Sequence, residues 1–105
     1  MASSQEYLDF ILKQLESLGQ EISFRKMMGE YLLYYRGSLF GGIYDNRLMV
    51  KPVQPALEFF ENPIYEPPYL GAKSMLRIEE VEDAAFLCSL IEAVYPVLPA
   101  PKKKK

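Results

Sequence analysis

The chemistry open to this chain is limited first by the residue types that it lacks. Its 105 residues include no histidine and one cysteine, Cys88. Histidine is the most common general base near neutral pH and the most common metal ligand, and structural zinc needs several imidazole or thiolate ligands. We therefore expect no catalytic residue, no metal site and no cofactor, and we predict that the protein is not an enzyme.

Basic and aromatic side chains provide the best candidate for a binding site. Tyrosines recur between residues 31 and 69, interspersed with arginines and lysines. On one face of a sheet, such residues can stack against planar groups and attract an anion. The alternation of strand residues also sends some tyrosines into the core, so a core with a mixed solvated surface is the alternative. The candidate binding face consists of Arg25, Tyr44, Arg47 and Lys51.

Three other groups of residues have structural explanations that we favour over functional ones. Cys88 lies on an apolar helical stripe, where a free cysteine is usually a small buried hydrophobe. Gly41-Gly42 either lets a ligand approach the backbone, or forms a β-bulge or a place where a helix crosses the sheet, and no phosphate-binding sequence follows it. The acidic residues at positions 79–83 either bind a cation or stabilise the start of a helix through its dipole.

The net charge of −2 conceals an uneven distribution. Four of the twelve basic residues are Lys102 to Lys105, and without them eight basic residues face fourteen acidic ones, a net charge of −6. Because nucleic acids are bound largely through Lys and Arg, nucleic-acid binding is disfavoured. We expect a folded domain at residues 1–98 and a disordered lysine-rich tail at 99–105. The single cysteine, and the lack of a secretory signal or membrane span, predict a cytoplasmic protein without membrane contact.

The hydrophobic pattern predicts the elements that must position these residues. An apolar stripe from Leu8 to Leu18 indicates an amphipathic helix that begins with a capping box at Ser3. Short runs separated by glycine or Asp-Asn turns indicate a four-stranded antiparallel meander. The predicted fold is a two-layer α+β domain of order α-β-β-β-β-α-β-α, with helices on one face of an antiparallel sheet of about five strands. The predicted helices are 4–18, 56–61 and 83–95, and the predicted strands are 22–28, 31–36, 39–44, 47–51 and 75–79. The predicted turns are Gly29-Glu30, Gly37-Ser38 and Asp45-Asn46, 62–73 is predicted to be a loop, and Leu48, Val50, Leu76 and Ile78 are expected to point inward.

The segment RKMMGEYLLYYRGSLFGGIYDNRLMVKP, residues 25–52, resembles the N-terminal domain of the TfoX/Sxy family. The order and spacing of the motif carry the likeness, although Met27-Met28-Gly29-Glu30 replaces the usual Met-Phe-Gly-Gly. The resemblance covers about residues 3–98 and implies a sheet with helices against it and no known enzymatic activity. Longer relatives regulate natural competence and carry a second, C-terminal domain, which we do not expect in this chain. The matching positions are Arg25, Met27, Gly29, Gly37, Phe40, Arg47, Leu48 and Lys51.

The last predicted helix is apolar on two sides, so it needs two burial partners. One stripe would face the sheet, and the second would be covered by helix one, by the 67–69 loop or by a second copy of the chain. The candidate dimer patch is Phe86, Leu90 and Val97. We therefore expect a non-catalytic binding or regulatory module that acts through contacts with an unidentified protein and could form a homodimer. The alternative is a small-ligand or nucleic-acid binder that uses the Tyr/Arg/Lys face.

Overall fold

The computed structural model describes residues 3–99. These residues form a six-stranded, fully antiparallel sheet of order β1-β2-β3-β4-β6-β5, with the helices packed on one face. The fold is thus the predicted two-layer α+β arrangement. The lysine-rich tail predicted for residues 99–105 lies outside the described residues from position 100 onward.

The elements follow the predicted order, with one addition. The helices are α1 (Gln5–Gln14), α2 (Gln54–Leu57) and α3 (Ala84–Val94), with 3₁₀ turns at Glu16–Glu21 and Tyr95–Val97. The strands are β1 (Ile22–Met27), β2 (Glu30–Tyr35), β3 (Ser38–Ile43), β4 (Leu48–Val50), β5 (Tyr65–Glu66) and β6 (Met75–Ile78). The first four strands form the predicted meander.

The three meander turns are two-residue turns in which both central residues have positive φ. They are Met28-Gly29 (φ 52° and 85°), Arg36-Gly37 (52° and 82°) and Asp45-Asn46 (53° and 56°). This is the type I′ geometry, whose twist matches that of the flanking strands. Only the third turn was predicted at the right residues. The first two were predicted one residue too late, because glycine takes the second central position of a type I′ turn here, not the first.

The start of α1 also differs from the prediction by one residue. Ser4, not Ser3, is the N-cap, and its hydroxyl accepts a hydrogen bond from the backbone N–H of Tyr7 at 3.1 Å. The hydroxyl of Ser3 instead donates to Oε1 of Glu30 at 2.6 Å and accepts from the N–H of Asn46 at 3.0 Å. Ser3 therefore ties the chain start to two hairpin turns, a role that local spacing does not reveal.

The core lies between the sheet and the two longer helices. Leu48, Val50, Leu76 and Ile78 are all buried, as the period-two alternation predicts. From the helical layer, α1 contributes Leu8 and Ile11. The core residues of α3 are Leu87, Cys88, Leu90, Ile91 and Val94.

β5 lies in a segment that was predicted to be a loop. Its two residues pair with β6, Tyr65 opposite Leu76 and Glu66 opposite Met75. Prolines at positions 63 and 67 flank the strand, and proline suits the ends of edge strands because it cannot donate to a ladder. Composition alone therefore indicates a loop where a short edge strand is present.

The second apolar stripe of α3 is covered within the chain. Leu90 is 0% exposed, and the ring of Phe86 packs edge-on against Phe59 and Phe60, with centroids 5.7 and 5.6 Å apart. Val97, by contrast, is 51% exposed. The candidate dimer patch is therefore corrected, because these three residues do not share an exposed surface. The covering segment follows α2, whereas the prediction considered helix one and the 67–69 loop.

Candidate functional site

The sheet face opposite the helices, which we call the outer face, is partly covered too. Met49 is fully buried, although it is not part of the core cluster. Its strand neighbours Leu48 and Val50 point to the helices, so the side chain of Met49 points to the outer face. It pairs with Gly42 on one side and Arg77 on the other. Only Leu48 and Val50 were predicted to be buried in this strand, so the burial of Met49 on the opposite face is an additional finding.

The glycine pair of β3 brings backbone and an aromatic ring close together on this sheet. A Cβ on Gly41 would lie 2.0 Å from the carbonyl oxygen of Met49, and one on Gly42 would lie 2.8 Å from the ring of Tyr44. The pairing of β2 with β3 shifts at this point, between Leu33 and Tyr34. The β3 residue that this shift leaves without a partner is Phe40, because Leu33 pairs with Gly41 and Tyr34 with Leu39. The bulge thus lies directly before Gly41-Gly42 and not at the pair itself, and Gly42 leaves room for the ring of Tyr44 against the sheet.

A groove of about 390 Å³ opens to solvent on the outer face beside Tyr44. Its floor comes from β3, from the two residues that follow β4 and from β6, and its wall comes from the loop between β5 and β6, where Pro68 is buried. The rings of Tyr44 and Tyr69 meet across this wall with centroids 6.1 Å apart. The residues that line the groove include Leu39, Tyr44, Lys51, Tyr69, Lys73 and Met75.

The lining of the groove is apolar except for cationic and hydroxyl groups. Lys51 and Lys73 both line it, no carboxylate does, and within residues 3–99 neither lysine forms an ion pair. Burial, followed by the proximity of Tyr69 and Glu30, raises the pKa of Tyr44 above its usual value. Tyr44 therefore stays a neutral hydroxyl at physiological pH, and the groove is an electropositive region on an acidic chain.

Arg47 holds the wall of the groove in place. Its Nε donates to the carbonyl oxygen of Tyr44 at 3.1 Å, and its Nη2 donates to the carbonyl oxygen of Pro68 at 3.0 Å. Its Nη1 forms an ion pair with Glu66, which also pairs with Arg77 at 2.8 Å. Arg47 thus joins the β3–β4 turn to the β5–β6 loop, and its charge is already neutralised.

Glu66 is the centre of this polar network. The hydrogen bond from Arg47, helped by that from Arg77, holds the pKa of Glu66 below its usual value despite partial desolvation. Arg77 also pairs with Glu79. The two arginines and two carboxylates therefore form one connected network that joins the β3–β4 turn to β5 and β6.

The structure brings together only part of the predicted binding face. Tyr44 and Lys51 line the groove, and Arg47 supports its wall rather than facing a ligand. Arg25 is exposed on β1, beyond β2 and outside the groove. Lys73 was not predicted, and Tyr69 was among the recurring tyrosines but not among the four residues of the candidate face. Both reach the groove because the loop folds back on the sheet, with Pro68 buried beside Tyr69.

The remaining candidates have structural roles. Cys88 is buried in the core, with Sγ 3.1 Å from the hydroxyl oxygen of Ser17. Asp83 is the N-cap of α3 and accepts from the N–H of Phe86 at 3.1 Å. Among residues 3–99, no three His, Cys, Asp or Glu residues are grouped so that they could hold a metal ion. Over the same residues, no helix is long and apolar enough to cross a membrane.

The fold and the groove define a small α+β domain with an open, electropositive groove on the sheet face opposite its helices. No protein-family model and no solved structure matches the chain. It is 37% identical over 108 residues to the uncharacterized 12.7 kDa protein in the trpE 5'region of Spirochaeta aurantia. The alignment covers the whole of this chain and 91% of that protein, so the chain belongs to the same family.

Proposed function

We propose that this protein is a non-catalytic binding module whose site is the outer-face groove, and that its ligand is a small anion with an apolar or aromatic body. One observation carries the proposal: Lys51 and Lys73 share an apolar groove that has no acidic lining residue. In this proposal the protein works in the cytoplasm, as its single cysteine suggests.

The size of the groove supports a small molecule. Ligand sites typically enclose ~300–1,000 Å³ and combine an apolar lining with a few polar groups that orient the ligand. The groove, at about 390 Å³, lies at the lower end of that range. Leu39 and Met75 would contact the body of the ligand, the lysines its charge, and Tyr44 a hydrogen-bond acceptor on it.

The charges support an anion. A lysine ammonium that lacks a carboxylate partner loses no existing ion pair when an anion binds, whereas Arg47 would have to give up Glu66. On a chain with net charge −2, the groove is a local exception. Because the groove is open, we expect the affinity to fall as salt screens the lysines.

A second candidate function is the protein contact predicted from the TfoX/Sxy resemblance. An exposed apolar ridge favours it: Leu70 is 100% exposed, Tyr69 is 58% exposed, and Ile64 and Tyr65 lie exposed nearby in the sequence. A regulatory module of TfoX type would use this ridge to contact its partner. Since Tyr69 belongs to both the ridge and the groove wall, the two functions are compatible.

Fluorescence titration with anilinonaphthalene sulfonate, a small aromatic anion, tests the groove. We expect the native protein to bind the dye, and the Lys51→Glu/Lys73→Glu variant to bind it at least tenfold more weakly, a loss of ~1.4 kcal/mol. Lys26→Glu on exposed β1 is the matched control and should bind like the native protein.

The neutral dye phenylnaphthylamine, which has the same kind of aromatic body without a sulfonate, separates charge from apolar contact. We expect the native protein to bind it more weakly than the anion. Equal binding of the two dyes, or unchanged anion binding by the double variant, would contradict the proposal.

A further inference from the structure

The two edges of the sheet are built differently. β5, at one edge, is only two residues long and lies between Pro63 and Pro67, so it offers few backbone groups that could pair with another strand. β1, at the other edge, has six residues, all paired in register with β2 and without a bulge, proline or glycine. Natural proteins usually shorten, bend or cover such an edge, because it offers unpaired backbone groups to other chains.

The turn geometry shows which backbone N–H and C=O groups of β1 form no hydrogen bonds with β2. A two-residue type I′ hairpin closes on a hydrogen-bonded pair, here Met27 and Glu30, and such pairs alternate along an antiparallel ladder. The bond from the N–H of Arg36 to the carbonyl oxygen of Glu21, at 2.8 Å, follows this alternation. Ile22, Phe24 and Lys26 therefore direct their N–H and C=O groups away from β2.

The side chains of β1 combine charge and apolar surface on each face of this edge. Phe24 and Lys26 lie opposite Leu33 and Tyr31, on the helix side, so Arg25 and Met27 lie on the outer face. Phe24 and Met27 are 45% and 40% exposed. Within residues 3–99, Arg25 and Lys26 form no ion pair.

The two cations decide which kind of strand fits. Pairing of β1 with its own copy would bring two Arg25–Lys26 cation pairs to one short edge. With the two-fold axis at Arg25, the two arginines would lie directly opposite each other, and like charges opposite each other are destabilising. An extended segment with two adjacent acidic residues would instead place one carboxylate on each face. Apolar residues on either side of those acids would meet Phe24 and Met27.

We propose that β1 is a docking edge for an extended acidic segment of another protein, with the pattern apolar-acidic-acidic-apolar, which adds a seventh strand to the sheet. The outward backbone groups of Ile22, Phe24 and Lys26 supply the hydrogen bonds, and Arg25 and Lys26 select the sequence. This mode of recognition separates affinity, from the main chain, and specificity, from the side chains. It is independent of the groove, which β1 does not line.

The test uses two labelled ten-residue peptides, one with a central Val-Glu-Glu-Val and the other with Val-Lys-Lys-Val, in fluorescence anisotropy with the full chain. We expect the acidic peptide to bind roughly tenfold or more tightly than the basic one, since two cross-strand pairs change from attraction to repulsion. The Arg25→Glu/Lys26→Glu variant should reverse the preference. Both residues are exposed, and circular dichroism checks that the variant stays folded.

Amide hydrogen exchange locates the bound peptide. The acidic peptide should slow exchange at Ile22, Phe24 and Lys26 more than at Ser23, Arg25 and Met27, which already bond to β2. Equal affinity for the two peptides, no binding at millimolar concentration, or protection elsewhere would overturn the proposal. So would a solution mass of twice 12.1 kDa that falls to 12.1 kDa in a Phe24→Pro variant, because β1 would then pair with its own copy.

Discussion

Met28 holds an unfavourable backbone conformation at the tip of the first hairpin. Its φ is 52° and its side chain is 95% exposed, so no packing compensates for the strain. Asn tolerates this region well and is favoured at the first central position of a type I′ turn. We expect Met28→Asn to raise the free energy of unfolding by about 1 kcal/mol, measured by urea denaturation.

Arg36 provides the matched control for that substitution. It has the same φ of 52°, but its guanidinium pairs with Glu21 at 3.3 Å and lies over the rings of Tyr35 and Tyr95. Arg36→Asn relieves the same backbone strain but loses these side-chain contacts, so we expect a smaller increase in the free energy of unfolding, or none. Equal gains at both positions would show that side-chain contacts do not matter at Arg36.

Glu66 links the stability of the groove wall to pH. Its pKa is lowered in the folded protein, so below the ordinary glutamate value of about 4.5 the unfolded chain binds protons more readily than the folded chain. The stabilisation is complete at neutral pH and is lost as pH falls through the lowered pKa. We expect the unfolding free energy of Glu66→Gln to decrease less steeply than that of the native protein under acid conditions. Parallel profiles in thermal melts between about pH 6 and pH 3 would contradict this role.

At the scale of elements, β6 separates the core from the outer face. Leu76 is buried among the core residues, while Arg77 pairs with Glu66 and Glu79 on the opposite side. Leu76→Asp buries a charge without a partner, at a cost comparable with the stability of a small domain, so we expect it to unfold the protein. Arg77→Gln should be far milder. Similar thermal midpoints for the two variants would mean that the register of β6 is wrong.

The sequence predicted the elements whose signal is local and periodic. The stripe from Leu8 along α1, the alternation of Leu48 and Val50 in β4, and the Asp83 cap of α3 all appear in the structure. The burial of Met49 and the pairing of β5 were not predicted, because both depend on residues that are distant in the sequence: Met49 lies between Gly42 and Arg77, and β5 pairs with β6. The site was predicted in part for the same reason: Tyr44 and Lys51 were identified, whereas Lys73 reaches the groove only through the β5–β6 loop.

At the scale of the whole molecule, α3 is covered by elements of its own chain. We expect Leu90→Glu to unfold the domain, because Leu90 is 0% exposed and a buried unpaired carboxylate is costly. Val97→Glu should leave the fold intact, since that side chain is 51% exposed. Circular dichroism and light scattering together check both variants. If the Leu90→Glu variant is instead folded and has half the solution mass of the native protein, then Phe86, Leu90 and Val97 do form a dimer interface, as the sequence predicted.

Binding of a small anion in the outer-face groove can be observed residue by residue in two-dimensional ¹⁵N–¹H NMR spectra during titration with anilinonaphthalene sulfonate. We expect saturable shifts at the amides of Leu39, Gly41, Lys51, Ala72 and Met75, which line the groove. The same titration of the Lys51→Glu/Lys73→Glu variant should leave these amides nearly unchanged. Shifts concentrated on α3 or on the exposed segment 64–70, with none along β3 and β4, would contradict binding in the groove.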